Sequence, residues 1–419
     1  MAKSRSYATR NTQHAIRSAY HVLRVVYCVL LLTACRFPGA VRPTVKIGLV
    51  APFEGRYRYV GYDVIYAVRM ALREANAAGG VGGYSLELVA YDDGAGPAMA
   101  VEQARKLAAD HEVVAAIGHF REETTGAALS AYAEAGIPLV APVVLDPALT
   151  CRSASNSRQG TGVYRLGPPA GAVASALLHQ IKGLGHHHAA LVTEGGPLGA
   201  ALQRDAQRYR LRVWPVVSPE SADWLDEVRA SGAEVVFCDT GPVAAGEVAT
   251  ALRGAGWEGD FLGGPELAAP DFVAVAGRAA EGVLFITPYP FPADVPGSDE
   301  TRFFLENLVS GEKTDFIAAY RIVSNGVPPG PLALPAYEAT WVLLEALERD
   351  ITSHGVPTRE GMAAALATVE RHGLLGRITF DGGRDWGGAP LHWYRVGAGG
   401  VPVPVLVHRR WSSVREIWT

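Results

Sequence analysis

The chain has 419 residues, more than one ordinary hydrophobic core holds, so two domains are the first expectation. Hydrophobic residues make up 49% and charged residues 19%, with 47 glycines and 27 prolines, and this composition excludes a disordered or fibrous chain. The formal net charge of -4 provides no basic surface for phosphate backbones, so we expect no nucleic-acid partner.

The first fifty residues have the pattern of an export signal. No acidic residue comes before Glu54, and basic residues precede an apolar run over 25–32 that is too short to span a bilayer. The stretch Leu32-Thr33-Ala34-Cys35 resembles the lipobox of bacterial lipoproteins. We therefore predict a signal peptide over 1–34, lipidation of Cys35 and an extracytoplasmic, lipid-anchored protein. In the alternative, Cys35 is an ordinary residue of the signal region, and the protein is released or held by an uncleaved anchor.

The cysteines and histidines do not indicate a metal or cofactor site. Beyond the export segment only Cys151 and Cys238 remain, and two cysteines far apart in sequence do not make a disulfide framework. The histidine triplet over 186–188 directly precedes an apolar run, which favours a solvated strand entrance over a metal site. We expect neither metal nor cofactor.

From Thr44 onward, short apolar runs alternate with amphipathic stretches. The pattern predicts strands over 45–50, 86–91, 113–117 and 139–141, and helices over 63–78, 98–110 and 124–134. Strands that are apolar throughout and separated by helices indicate a parallel sheet that is covered on both faces. The first half of the chain is therefore predicted to be an α/β lobe.

After a weakly patterned connection over 141–169, a second series follows the same logic. It predicts strands over 189–193, 213–217, 235–238, 261–263 and 283–286, with helices between them. A helix over 335–349 carries apolar residues on most of its surface and must be packed between other elements. Two such α/β lobes leave a cleft between them, and ligands bind beyond the carboxyl ends of the strands.

Short motifs in a fixed order resemble those of a known family. They are Ile47-Gly48-Leu49-Val50-Ala51-Pro52, Tyr91-Asp92-Asp93, Ile117-Gly118-His119, Pro147-Ala148-Leu149-Thr150 and Gly263-Gly264-Pro265-Glu266. With these motifs the chain resembles the type 1 periplasmic binding proteins, in particular the branched-chain amino acid (Leu/Ile/Val) receptors of ABC importers.

The resemblance implies two Rossmann-like lobes that close over one small solute. Lobe 1 would hold residues 44–166 and 287–391, and lobe 2 residues 167–286 and 392–419. The lobes would be joined by three hinge crossings, near Leu166, Ile286 and Trp393. The implied partners are the solute and the permease subunits of an ABC transporter, and we expect the protein to be a monomer.

In lobe 1 the loops that follow strands carry the candidate ligand-binding residues, which are Tyr57, Tyr59, His119, Arg121, Glu122, Thr124, Val144 and Leu145. By resemblance, a hydroxyl residue at position 122 and an Ala-Thr pair at positions 144 and 145 would hold a ligand carboxylate. A carboxylate at Glu122 would instead repel it, and the Leu145 side chain cannot donate a hydrogen bond. Capture of an ordinary α-amino acid is therefore not the first expectation.

Two alternatives remain open for this loop. Glu122 and Glu123 precede a predicted helix and would stabilise its positive end without touching a ligand. In that case Thr124 and the free helix amides would still hold an anion, with Arg121 as counter-charge or as a surface residue.

In lobe 2 the candidate ligand-binding residues are Leu198, Asp239, Thr240 and Glu266. The resemblance implies that Glu266 faces the ligand ammonium, whereas Leu198, Asp239 and Thr240 stand where the family places aromatic residues over the ligand. With Glu54, Glu122, Asp239 and Glu266 all expected to face the cleft, an amine, an amide or another cationic or neutral polar solute is favoured over an acid.

These residues leave four functions to distinguish. The leading hypothesis is a transport receptor, and a sensor with the same lobes is the second, because fold alone does not separate the two. An enzyme is disfavoured because the sequence contains none of the nucleophile-elbow, phosphate-loop and zinc-protease motifs that we sought. A binding shell that has changed or lost its ligand is the fourth.

Overall fold

Short strands, most of them largely buried, build two large sheets. The computed structural model describes residues 42–150, 162–292 and 316–405, so the predicted signal peptide, Cys35 and Cys151 lie outside the described residues. Contacts divide the chain into Met1–Pro43 and Thr44–Thr419. Both sheets belong to the second of these units.

The first sheet is parallel throughout and has the order β2-β1-β3-β4-β5. Its strands are β1 (Thr44–Ala51), β2 (Ser85–Asp92), β3 (Val113–Gly118), β4 (Leu139–Ala141) and β5 (Val163–Arg165). Its crossover helices are α1 (Arg58–Ala77), α2 (Pro97–Ala109) and α3 (Glu122–Ala135). Buried residues of α1 pack on one face, and those of α2 and α3 pack on the other, so the predicted two-sided cover is confirmed.

The second sheet has seven strands in the order β14-β13-β10-β9-β8-β6-β7. These strands are β6 (His188–Thr193), β7 (Arg212–Val217), β8 (Val235–Asp239), β9 (Asp260–Gly263), β10 (Leu284–Thr287), β13 (His392–Val396) and β14 (Pro402–Pro404). Strands β6 to β10 pair in parallel, while β13 and β14 add antiparallel pairs at one edge. The helices that accompany it are α4 (Ala170–Gly183), α5 (Pro197–Asp205), α6 (Trp224–Ser231), α7 (Pro242–Gly254) and α8 (Pro270–Ala276).

The chain returns from the second sheet to the first, and the last described strands join the second sheet again. The returning elements are α9 (Phe316–Val323), α10 (Ala333–His354), α11 (Arg359–Leu366) and the hairpin of β11 (Glu370–Gly373) and β12 (Gly376–Thr379). Helix α10 is buried on most sides, as its apolar surface predicted, because it packs in one core with α1 and β1. The α/β fold with two lobes is therefore confirmed, and the described elements change from one sheet to the other three times.

The end of β3 shows how closely the strands approach where the site begins. Gly118 has φ +137°, and a Cβ atom there would lie 2.3 Å from the backbone oxygen of Val50 in β1. Only glycine fits this position without displacing the neighbouring strand. The chain can therefore turn out of the sheet here and carry Phe120 and Arg121 to the carboxyl edge.

None of the helices in the described ranges is both long enough and apolar enough to cross a membrane.

Candidate ligand-binding site

The carboxyl ends of strands from both sheets surround a cavity whose empty space is about 720 Å³ when its open mouth is included. From the first lobe its lining includes Tyr57, Tyr59, Val60, Phe120, Arg121, Pro142, Val143, Val144, Leu145, Pro331 and Leu332. From the connection after β5 and from the second lobe it includes Gly167, Pro168, Pro265, Glu266, Ala268, Ala269, Thr287, Pro288 and Tyr289. A cavity at the switch points of parallel sheets is the usual place for a small ligand in such folds.

Arg121 is the positively charged side chain of the cavity lining. Its guanidinium lies over the ring of Tyr57, 4.2 Å from the ring centroid, and one of its nitrogens is 3.2 Å from the carboxylate of Glu123. The side chain of Glu123 is 61% exposed, so this ion pair is well screened by water. The Nε atom of Arg121 is buried and has no hydrogen-bond partner. The stacked ring therefore orients a guanidinium that still has donors to offer.

Glu266, from the opposite lobe, is the acidic side chain of the cavity lining. Its side chain reaches the solvent of the cavity, yet protein surrounds it closely enough that loss of bulk water raises its pKa to about 7. The positive charge of Arg121 acts in the other direction and lowers the pKa of Glu266. The site therefore presents one positive and one negative side chain across an otherwise uncharged wall.

The two predicted tyrosines line the cavity. Tyr57 carries Arg121 on its ring, and burial raises the pKa of the Tyr59 hydroxyl, which stays protonated and can donate a hydrogen bond. Val144 and Leu145 also line the cavity. Six of the twelve candidates, namely Tyr57, Tyr59, Arg121, Val144, Leu145 and Glu266, are thus brought together.

Glu122 is not among the cavity-lining residues, which corrects the expectation that it faces the ligand. One oxygen of its carboxylate accepts the backbone N–H of Leu145 at 2.5 Å, and both oxygens lie 3.3 Å from the N–H of Asp146. Desolvation raises the pKa of Glu122 to about 7, although these two amides act to lower it. Glu122 therefore ties the first turn of α3 to the back of the cavity wall.

The structure also keeps His119 and Thr124 out of the cavity. His119 is fully buried inside lobe 1, where Nδ1 lies 2.8 Å from Asp93 Oδ2 and Nε2 lies 3.1 Å from the hydroxyl of Tyr132. Thr124 is equally buried and donates to the carbonyl of Arg121 at 3.2 Å. Both side chains have their partners in the interior of the lobe, so the structure does not bring these two predicted ligand-binding residues to the cavity.

The other candidates of lobe 2 are structural as well. Leu198 is buried in the core beside α4. The Asp239 carboxylate accepts from Thr193 Oγ1 at 2.9 Å and from the N–H of Gly199 at 2.8 Å, while Thr240 is buried with its Oγ1 3.3 Å from Cys238 Sγ. Of the four carboxylates expected in the cleft, Glu266 alone lines the described cavity. The predicted excess of negative charge there is corrected to a balance of one cation and one anion.

Most of the apolar wall consists of residues that were not among the predicted site residues. Five prolines line the cavity, at positions 142, 168, 265, 288 and 331, together with Phe120, Tyr289 and Leu332. A proline has no N–H, so these turns expose few backbone donors to a ligand. The signal was available, because a proline follows closely after β4, β5, β9 and β10, but a proline in a loop ordinarily marks only a turn.

Tyr289 joins the crossings beside the cavity. It is buried, and its hydroxyl contacts the backbone carbonyl oxygens of Pro142 and Leu166. Pro142 and Leu166 follow β4 and β5 in the first sheet, whereas Tyr289 follows β10 in the second. One side chain thus connects two of the segments that pass between the lobes.

No group of three or more His, Cys, Asp or Glu side chains arranged for a metal occurs within residues 42–150, 162–292 and 316–405. The histidine triplet is at the entrance of β6, where His186 Nε2 lies 2.8 Å from Asp260 and His188 Nε2 lies 2.8 Å from the backbone oxygen of Trp214.

Two doubly wound lobes around a cavity with a few convergent polar groups define a two-lobed solute-binding protein. A family model described as periplasmic binding protein matches residues 44–400. The chain belongs to the periplasmic binding proteins, so it acts outside the cytoplasm and its function is solute binding rather than catalysis.

Named relatives agree with this assignment. The chain is 26% identical over 350 residues to the leucine-, isoleucine-, valine-, threonine- and alanine-binding protein of Pseudomonas aeruginosa, covering 81% of this chain and 86% of that one. It is 25% identical over 276 residues to the Leu/Ile/Val-binding protein of Escherichia coli K12, covering 63% and 73%. Among solved structures, the leucine-binding protein LivK of Thermotoga maritima superposes with a TM-score of 0.72 at 22% identity, covering 86% of this chain and 98% of that one.

Proposed function

We propose that this chain is the lipid-anchored receptor of an ABC importer, and that it binds a small amino acid or a related amine or amide in the cavity between its lobes. The observation that carries the proposal is the placement of Glu266, an anion in a largely apolar cavity lined from both lobes. A carboxylate in such a place attracts a solute with an amino group.

The apolar wall supports a solute that also has a hydrocarbon part. Val60, Phe120, Val144, Leu145 and Leu332 would pack against it. The P. aeruginosa and E. coli relatives are both named for the binding of leucine, isoleucine and valine, which combine these two features.

The division into lobes gives a mechanism of capture. The lobe bounds proposed from the sequence are 44–166 with 287–391, and 167–286 with 392–419. Glu266 follows β9 of one sheet and Arg121 follows β3 of the other, so a solute that touches both would favour the closed arrangement of the lobes. The closed form of a monomer would then be the surface that the permease recognises.

Solute binding is tested by thermal unfolding of the purified protein with aliphatic amino acids, amides, amines and monocarboxylates, each at 1 mM. A probe with a Kd near 1 µM adds about 4 kcal/mol to the free energy of unfolding, which raises the melting temperature by several degrees. Loss of uptake of the same solute in cells without the gene would support the transport role. An unchanged melting temperature with every probe would contradict the proposal.

The lipid anchor is tested separately. We expect the unmodified protein in the membrane fraction and labelled by a radioactive fatty acid, whereas Cys35→Ala is unlabelled. A Cys35→Ala protein that still carries the label would remove Cys35 as the lipidation site.

A further inference from the structure

A hollow opens beside the ligand cavity, and residues of both lobes face it. Lobe 1 contributes Arg56 and Tyr57, which follow β1, while lobe 2 contributes Glu194 after β6, Gly241 after β8 and Asp271 in α8. Tyr57 also lines the ligand cavity, so its side chain lies between the two spaces. Arg56, Glu194 and Asp271 do not line the ligand cavity. The hollow is therefore a place where the lobes meet rather than a part of the ligand site.

Tyr57 brings the lobes into contact at this hollow. A Cβ atom placed on Gly241 would lie 3.6 Å from the Tyr57 hydroxyl oxygen, which is an ordinary van der Waals distance. The guanidinium of Arg56 lies 4.7 Å from the centroid of the same ring, and that of Arg121 lies 4.2 Å from it. Such cation–π contacts orient the ring and the guanidinium groups relative to one another. Arg56 therefore packs on the side chain that reaches across to lobe 2.

The charges that face the hollow are opposite on the two lobes. Arg56 of lobe 1 carries the positive charge, and the carboxylates of Glu194 and Asp271 belong to lobe 2. Glu194 accepts the backbone N–H of Gly241 at 2.8 Å, which holds its carboxylate at this edge of lobe 2. Within the part of the chain that the structure describes, Arg56 forms no ion pair within 4.0 Å with either carboxylate. Opposite charges attract beyond contact distance, because the screening length is about 8 Å at physiological salt.

We propose that Arg56 is an electrostatic latch between the lobes. It attracts Glu194 and Asp271, favours the closed arrangement and keeps Tyr57 against Gly241 at the side of the cavity. The latch does not touch the solute, so it changes how long a solute stays rather than which solute binds. Arg56 and Glu194 are exposed, and an exposed ion pair changes an equilibrium only by a few-fold. The effect on retention rests on the proposed function, whereas the attraction between the lobes does not.

Charge reversal and its rescue test the latch. The variants are Arg56→Glu, Asp271→Arg and the double variant that carries both changes, so that opposite charges face each other again with their positions exchanged. Small-angle X-ray scattering measures the radius of gyration of each protein without and with L-leucine, and stopped-flow fluorescence measures the dissociation rate of L-leucine. Each measurement is made in about 50 mM and about 500 mM NaCl. Arg58→Glu is the matched control, because Arg58 is exposed close by in the chain and lines neither the hollow nor the cavity.

At low salt we expect Arg56→Glu to have a larger radius of gyration than the unmodified protein and to release L-leucine about 3- to 10-fold faster. The double variant should return to within about twofold of the unmodified rate, and high salt should reduce every difference to less than about twofold. Arg58→Glu should match the unmodified protein throughout.

Two results would overturn the latch. One is an Arg56→Glu protein that matches the unmodified protein in both measurements at low salt. The other is a double variant that stays as open and as fast as Arg56→Glu, which would mean that Arg56 acts through Tyr57 alone. If neither L-leucine nor any solute of the wider screen binds, the proposed function fails, and the radius of gyration of the free proteins alone then decides on the latch.

Discussion

The carboxylate of Glu122 accepts the backbone N–H of Leu145 at 2.5 Å, and this bond fixes the wall of the cavity from behind. Leu145 lines the cavity, whereas Glu122 does not. The Glu122 carboxylate thus occupies the amides of this loop, while the side chains of Leu145 and Arg121 line the cavity.

Removal of that anion should loosen the loop. In Glu122→Ala the amides of Leu145 and Asp146 lose their acceptor, and we expect the free energy of unfolding to fall by about 1–3 kcal/mol. Glu122→Gln keeps one oxygen acceptor and should lose less. Urea unfolding measures both, with exposed Glu123→Gln as the control that changes stability by less than about 0.5 kcal/mol. A Glu122→Ala protein as stable as the control would show that the loop does not depend on this bond.

Glu266 should be required for the amino group of the solute. We expect Glu266→Gln to weaken L-leucine by about 30-fold or more in calorimetric titration, because a desolvated charge pair is replaced by a neutral contact. In Glu266→Ala the thermal shift produced by the solute should disappear. Exposed Glu281→Gln, on the same lobe, should leave the Kd unchanged. Unaltered affinity in Glu266→Gln would place the amino group elsewhere.

The affinity for an amino-bearing solute should depend on pH near neutrality. Loss of bulk water around the Glu266 carboxyl inside the cleft raises its pKa to about 7, so the free protein loses this negative charge as the pH falls below 7. Only the ionised form attracts an ammonium group, and the affinity should therefore be highest above pH 7 and approach a tenfold loss per pH unit well below it. Titrations from pH 5.5 to 8.5 measure this, and Glu266→Gln should flatten the profile. Glu122→Gln controls for Glu122, which titrates over the same range.

A buried carboxyl in lobe 1 should make stability depend on pH. Glu74 accepts the hydroxyl of Tyr337 at 2.6 Å, and desolvation raises its pKa from 4.5 to about 7. The folded protein therefore holds this proton more tightly than the unfolded chain does. This difference contributes about 3 kcal/mol to the free energy of unfolding. The contribution is complete below about pH 4.5 and is lost as the pH rises through 7.

Glu74→Gln removes that dependence because glutamine does not titrate. Urea unfolding at pH 4.5 and pH 8 measures the free energy of unfolding of the variant and of the unmodified protein. The difference between them should shift by about 3 kcal/mol in favour of the variant from the lower pH to the higher. Exposed Glu102→Gln should follow the unmodified protein at both pH values. A constant difference between Glu74→Gln and the unmodified protein would mean that Glu74 does not titrate in this range.

Tyr289 should stabilise the crossings through its hydroxyl. In Tyr289→Phe the carbonyl oxygens of Pro142 and Leu166 lose a buried donor, so we expect a loss of about 1 kcal/mol in the free energy of unfolding. Tyr62→Phe is the matched control on an exposed tyrosine. Equal stability of the two variants would show that this hydroxyl does not hold the crossings together.

The local pattern of apolar and polar residues was sufficient to predict most helices and strands. The apolar run predicted over 139–141 is β4, and the predicted helix over 98–110 is α2 with a shift of one residue at each end. The first helix begins five residues earlier than predicted, at Arg58, because it continues directly from a short 3₁₀ turn over Gly55–Tyr57. Burial periodicity is a property of neighbouring residues, so the sequence determines it.

The directions of the polar side chains were decided only by the tertiary structure. Arg121 and Glu122 are adjacent in the sequence, yet one lines the cavity and the other bonds to Leu145, 23 positions further along the chain. His119 and Asp239 stand at strand ends as predicted, but Asp93, Tyr132 and Thr193 satisfy them inside the lobes. A buried polar group has lost its water and must form hydrogen bonds with nearby protein groups. For these residues the partner comes from another strand or loop. The sequence by itself determined two α/β lobes and the edge where a ligand would lie, while long-range hydrogen bonds decided which side chains remain available to it.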